Sequence, residues 1–285
     1  MNKKILLLGS AGMAGHVILS VLKEQLLDYE IYDVAKNNEF VNPSKCLDVR
    51  DFNALQAYID LIQPRYIINC IGLLNKTAED FPDEAVLFNS YLPHFLESKT
   101  KESVTKIIHI STDCVFSGEK GHYTENDFKD GVGFYAQTKS LGELNNNKDL
   151  TIRTSIIGPE LKKNGIGLFN WFMSQRGNIR GYDRAIWSGV TTLELAKFII
   201  QVIRKEDING IVHLTNNKPI SKYKLLVLLQ KIFKRDDIVI IPDDHYTVDK
   251  SFINTRKDFQ WEVSDYSIMI DEMKLWLDNK DNLKY

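Results

Sequence analysis

Cysteine is scarce in this chain. Cys46, Cys70 and Cys114 are odd in number and scattered, so they supply neither a disulfide framework nor a zinc-ligand spacing. No apolar run reaches the roughly 18 residues needed to span a bilayer. The N-terminus enters a strand directly, without the architecture of a signal peptide. Neither charge sign dominates: 36 basic and 38 acidic residues leave a net charge of −2, which offers no electrostatic footprint for nucleic acid. Internal repeats, low-complexity tracts and Pro/Ser linkers are also missing. These absences describe a cytoplasmic, soluble protein with reduced thiols, working on neither nucleic acid nor membrane. At 285 residues it is one large domain, or one domain with a smaller lobe.

What is present begins with glycine. Lys3–Leu8 is a short apolar strand running into Gly9-Ser-Ala11-Gly12-Met13-Ala-Gly15, and a helical segment carrying Val17, Ile18, Val21 and Leu22 on one side follows. Strand, glycine turn and helix make a phosphate-binding start, because glycine lets the backbone approach a pyrophosphate whose charge sits at the helix N-terminus. The spacing is G-x-x-G-x-x-G rather than the commoner G-x-G-x-x-G, and a plain tight turn would look the same. Asp33 ends the next strand, Glu30–Val34, 18 residues beyond Gly15. That is near the roughly 20 expected for an acid on the adenosine ribose. An acid there favours NADH, whereas Lys36 argues for NADPH, and the choice stays open.

Asp51 is placed to cap a helix over Phe52–Ile62. Asp48 and Val49, just before it, are candidates to flank adenine. A buried strand, Tyr66–Ile71, leads to Gly72, so Cys70, Ile71 and Gly72 would pass close to the cofactor. Asn89 lies in a helix expected over Glu84–Leu96, as a cofactor contact or a structural brace. The alternation of strands and helices with short connections predicts an α/β fold, a Rossmann-like doubly wound parallel sheet. Ligands bind such sheets outside the C-terminal ends of the strands, where these segments converge.

The chemistry centres on Lys106–Glu143. Ile107–Ile110 is a buried strand that delivers Ser111, Thr112 and Asp113 at its end, and Tyr135-x-x-x-Lys139 opens a helix. Residues four apart on a helix share a face, so Tyr135 and Lys139 can reach one ligand. His109, His16 and His213 read as core or capping histidines. Beyond Leu150–Ile157, with its Arg153-Thr154-Ser155, the chain changes character. Helices are expected over Gly167–Gln175, Thr192–Arg204, Ser221–Phe233 and Ile268–Leu277, with strands at Gly210–Thr215 and Ile238–Ile241. Thr191 or Thr192 should cap the second helix, and Arg176–Gly189 is a polar stretch containing glycine and aromatic residues. The division is 1–157 for the nucleotide-binding domain and 158–285 for a smaller C-terminal lobe, with some segments returning.

Gly9–Gly15, Ile110-Ser-Thr-Asp-Cys-Val115-Phe116, Tyr135-x-x-x-Lys139 and Arg153-Thr154-Ser155, in this order, resemble the extended short-chain dehydrogenase/reductases. Within these the chain looks most like the dTDP-4-dehydrorhamnose reductase group, most densely over residues 1–160. Cys114 departs from the tyrosine many members carry. The resemblance implies reduction of the C4 keto group of a nucleotide-activated 4-keto-6-deoxy-sugar by NADPH or NADH, for polysaccharide or glycan assembly. Tyr135 would be the proton donor, Lys139 would lower its pKa and hold the nicotinamide ribose, and Thr112 would orient the carbonyl. Ser111 would neighbour the cofactor. The substrate would meet Asp113, Val115, Phe116, Ser155, Trp171 and Trp187, with Arg180 or Arg184 on its diphosphate. A homodimer is compatible, and no metal-ligand spacing stands out. Two rivals keep the same parts: an epimerase that retains NAD, and a non-catalytic regulatory subunit like the β subunit of methionine adenosyltransferase.

Overall fold

The computed structural model describes residues 3–162, 165–205, 208–259 and 261–280. Strand β1 (Lys4–Leu8) is followed by α1 (Met13–Gln25), β2 (Glu30–Ala35), β3 (Lys45–Cys46), α2 (Phe52–Ile62) and β4 (Tyr66–Asn69). Next come α3 (Asn75–Asp80), α4 (Pro82–Ala85), α5 (Leu92–Lys99), β5 (Lys106–Thr112), α6 (Gly133–Leu141) and β6 (Leu150–Thr154). Successive strand residues face opposite ways, and both faces are covered. Ile5 and Leu7 of β1 join one core cluster with α1, while Leu6 and Leu8 join another with α2 and α5. This is why the strands are continuously apolar rather than alternating. Asp51 caps α2 as expected, accepting from the Ala54 amide at 2.9 Å.

The helix expected over Glu84–Leu96 is interrupted. Val86–Tyr91 forms a π-helical segment between α4 and α5. Pro93 in α5 has no N–H to return to Asn89, the partner an α-helix would require. The Asn89 carbonyl lies instead against Gly142, 1.8 Å from where a Cβ would stand.

Residues Leu150–Ile157 are two strands, not one. At Ser155 the chain leaves the main sheet, and β7 (Ile156–Ile157) pairs with β10 (Val190–Thr191). Between them lie α7 (Leu168–Ser174), β8 (Gly177–Tyr182) and β9 (Ala185–Trp187). The polar stretch Arg176–Gly189 is therefore largely β. Then follow α8 (Thr192–Lys205), β11 (Gly210–His213), β12 (Ile220–Ser221), α9 (Lys222–Ile232), β13 (Ile238–Asp243), β14 (Val248–Asp249) and α10 (Tyr266–Asp278). Thr191 rather than Thr192 supplies the cap on α8, accepting from the Glu194 amide at 3.1 Å. The main sheet has the order β11-β6-β5-β4-β1-β2-β3, all parallel. β11 thus returns from the second half to the main sheet. Leu193, Leu225 and Met273 pack in the same cluster as Ile5 and Val17. The residues after 280 lie outside those described.

Candidate active site

The glycine turn is built by backbone sterics. Gly9 has φ +90°, a conformation that side chains disfavour, and its amide and that of Ser10 both donate to Val34 O at the end of β2. A Cβ on Gly15 would stand 2.0 Å from Gly9 O, so only glycine lets α1 pack this closely on the turn. Gly12, Met13 and Ala14 line the mouth of a large cavity at the start of α1, where no side chain caps the helix. Three buried polar atoms at this turn have no hydrogen-bond partner among the described residues: Ser10 Oγ, His16 Nε2 and Asp33 Oδ2. Free helix-terminal amides, a bare glycine edge and orphaned polar atoms suit a dinucleotide phosphate and ribose. His16 is a buried residue of α1 whose Nδ1 lies 2.9 Å from Gly12 O, one turn back.

Several expected cofactor contacts lie outside the cavity wall. Gly9, Ala11 and Gly15 shape the turn from behind. Asp33 is buried, and its Oδ1 accepts from the Ser44 amide and hydroxyl at 3.2 and 3.0 Å. Asp48 is bound by Arg50 at 2.5 Å and Lys36 at 3.5 Å, and its carboxyl is held down to about 2 chiefly by the Arg50 hydrogen bond. Val49 is core, packed with Leu55 and Ile59. Asn89 is a brace: its carbonyl accepts from Leu73 N, and its amide donates to Leu73 O and Thr138 Oγ1. Ile71 packs against the α2 cluster, whereas Cys70 and Gly72 do reach the cavity.

At the end of β5, Thr112 Oγ1 accepts from the Cys114 amide at 3.1 Å and donates to Asp113 Oδ1 at 3.1 Å. Thr112 and Tyr135 both line the cavity, and the Thr112 hydroxyl acts on the Tyr135 phenol, pulling its pKa down. Ser111 lines the same cavity, but its hydroxyl is committed elsewhere, donating to Glu143 Oε1 at 2.7 Å. Tyr135 is placed by a feature the sequence reading passed over. Glu79 of α3 accepts from the Phe134 and Tyr135 amides, both at 3.1 Å, which caps α6 with a carboxylate.

One turn further on, Lys139 Nζ donates to Ile110 O at 2.7 Å and lies 3.3 Å from His109 Nε2. The Asn69 carbonyl accepts from Ile71 N, which fixes its amide group toward His109 Nδ1 at 3.2 Å. His109 is thus a bonded core histidine, and it also touches the lysine of the site. Burial pushes the Lys139 ammonium down to about 8, against the opposing charge of Glu143 and Cys70. The Tyr135 phenol moves the other way. Burial raises it and the neighbouring Cys114 and Asp113 add to the rise, while the Thr112 hydroxyl opposes. The expected downward pull of Lys139 on Tyr135 does not decide its pKa, because the ammonium turns toward Ile110 and His109.

Of the expected substrate residues, Asp113, Ser155, Trp171, Arg180 and Trp187 line this cavity of about 950 Å³. Val115 and Phe116 do not. After Thr112 the chain makes a tight 3₁₀ turn that buries both in a separate cluster with Tyr123 and Phe252. Phe116 stacks on Tyr123, ring centroids 4.2 Å apart, under the Arg153 guanidinium. Arg180 reaches Asp243 at 3.4 Å, and Arg184, outside the wall, faces Asp244 at 3.8 Å. Asp243, Asp244 and His245 do bring three potential ligand atoms within 4.8 Å of one another, but His245 Nδ1 already lies 2.8 Å from Asp243.

Arg153 is structural. Its Nε and Nη2 donate to the two oxygens of buried Glu143 at 2.7 and 2.8 Å, and its Nη1 lies 3.2 Å from His213 Nε2. Glu143 thus links Ser111 on β5 to Arg153 on β6.

Known proteins share this fold. A family model described as the RmlD substrate binding domain matches residues 3–247. The spore coat polysaccharide biosynthesis protein SpsK of Bacillus subtilis is 24% identical over 80% of this chain and 78% of its own. The dTDP-4-keto-6-deoxy-D-glucose reductase of Streptomyces niveus is 23% identical over 83% of this chain and 81% of its own. Among solved structures, dTDP-4-dehydrorhamnose reductase from Bacillus anthracis in complex with NADP superposes with a TM-score of 0.82 at 20% identity, covering 97% of this chain and 100% of that one.

Proposed function

The chain belongs to the RmlD substrate-binding family, of extended short-chain dehydrogenase/reductase type, and from that premise we propose that it is an NAD(P)H-dependent reductase of the C4 keto group of a nucleotide-activated 4-keto-6-deoxy-sugar. The observation that carries this reading is that Thr112 at the end of β5 and Tyr135 and Lys139 on α6 line one cavity, which also receives the glycine turn. When bound, NAD(P)H supplies the hydride. Tyr135, which burial keeps protonated at neutral pH, gives its proton to the carbonyl oxygen, so that the ketone becomes an alcohol. Thr112, held by the Cys114 amide, orients that oxygen. Lys139 stands one helical turn from the phenol in the same cavity, where its ammonium can hold a ribose hydroxyl.

The test is NAD(P)H oxidation followed at 340 nm against dTDP-, GDP- and UDP-linked 4-keto-6-deoxy-sugars, with Tyr135→Phe alongside. Turnover with one nucleotide series is expected, lost by about 10²-fold or more in the variant while cofactor affinity is kept. No oxidation with any of the three, despite cofactor binding, would refute the reductase reading.

A further inference from the structure

Six charged side chains line the cavity among the described residues: Lys139, Arg180, Lys222 and Lys250 against Asp113 and Asp243. The excess is positive, and two of its members are engaged. Lys139 donates to Ile110 O, and Arg180 faces Asp243. The other two, Lys222 and Lys250, make no side-chain hydrogen bond or ion pair with any described residue, although both are half-buried in the wall. Of these, Lys222 is the one set against an aromatic face.

Its position is built rather than accidental. β12 pairs with β9, setting Ile220 opposite Trp187 and Ser221 opposite Ile186. Ser221 Oγ then donates to Asp183 at 2.9 Å and accepts from the Lys224 amide at 3.2 Å, capping α9. Lys222, the first residue of that helix, lays its ammonium over the indole of Trp187, 5.3 Å from the ring centroid. An ammonium fixed against an aromatic face, inside a cavity and short of acceptors, calls for an anion from a ligand. Burial lowers its pKa, and the charges of Asp113 and Cys114 oppose the fall without forming an ion pair with it.

We propose that Lys222 is the cation that receives the diphosphate of the nucleotide-sugar substrate, in place of the arginines at 180 and 184. The assignment rests on the nucleotide-sugar reading given above. Arg184 is outside the wall, and the Arg180 side chain is 72% exposed and already faces a carboxylate.

The experiment is calorimetric titration of cofactor-saturated protein with dTDP, UDP and GDP and with the matching nucleosides. Wild type, Lys222→Met and Lys222→Arg are compared. Lys222→Met should weaken the preferred diphosphate about tenfold or more and leave nucleoside and NADPH affinity unchanged, while Lys222→Arg keeps most of the binding. Unchanged diphosphate affinity in Lys222→Met would overturn the assignment and leave the reductase reading standing. An equal loss of NADPH affinity would also overturn it, since the substitution would then act through the fold. A wild type that binds NADPH but none of the three diphosphates would overturn the nucleotide-sugar reading and this assignment with it.

Discussion

Lys139 is 5% exposed and has no carboxylate within salt-bridge distance among the described residues, so its charge carries a measurable penalty. A fall of its pKa from 10.5 to about 8 corresponds to about 3 kcal/mol, at about 1.4 kcal/mol per pH unit. The sign follows from proton counts. Below pH 8 the group is charged in both states and the full penalty is present. Between about 8 and 10.5 the unfolded chain binds more protons than the folded one, so stability rises with pH. Tyr135, raised above its ordinary 10, pulls the opposite way only at higher pH, which confines a clean measurement to pH 7–9.5. Over that window Lys139 should contribute a gain of about 2 kcal/mol. Urea denaturation of the cofactor-free protein, wild type minus Lys139→Met, cancels the other titrating groups. The difference should climb by that amount between pH 7 and 9.5. A flat difference would show that Lys139 keeps its ordinary pKa and that the buried, bonded geometry does not hold in solution.

Arg153→Met should destabilise the fold by about 3–5 kcal/mol in the same assay at pH 7, because it leaves the Glu143 carboxylate, 7% exposed, with Lys129 as its one remaining ion-pair partner among the described residues. Adding Glu143→Leu should recover most of that loss, and failure to recover would mean that packing under Phe116, not charge, is what Arg153 supplies. The second and third glycines of the turn, Gly12 and Gly15, should separate folding from binding. Gly15→Ala drives a methyl into Gly9 O and should cost about 2 kcal/mol or more in thermal or urea unfolding. Gly12→Ala meets that oxygen only at 3.4 Å and should fold normally, yet lose NADPH affinity in a fluorescence titration, because it fills the cavity mouth.

The local parts of this protein are legible in its residues. Apolar strands, the Gly9–Gly15 turn, the Asp51 cap and the four-residue spacing of Tyr135 and Lys139 each depend on near-neighbour sterics and helical period, which travel with the sequence. A parallel sheet buried on both faces follows from strands with no polar side. Interruptions were less legible. The π segment at Val86–Tyr91 depends on Pro93 together with Gly142, 49 residues beyond it. The polar stretch around Gly177–Tyr182 became a strand because β13 pairs with it, leaving only Ile179 and Gly181 facing inward.

The wall of the site was decided by tertiary structure. Val115 and Phe116 follow the Ser-Thr-Asp segment directly, but a single turn buries them away from the cavity. Lys222, more than a hundred residues later, reaches the wall through the pairing of β12 with β9. Glu79 reaches the Tyr135 amide across 56 residues. Sequence determined which groups can do the chemistry, because reactivity and local conformation belong to short segments. Only the tertiary structure decided which of them meet, because that is set by strand order and packing between segments far apart in the chain.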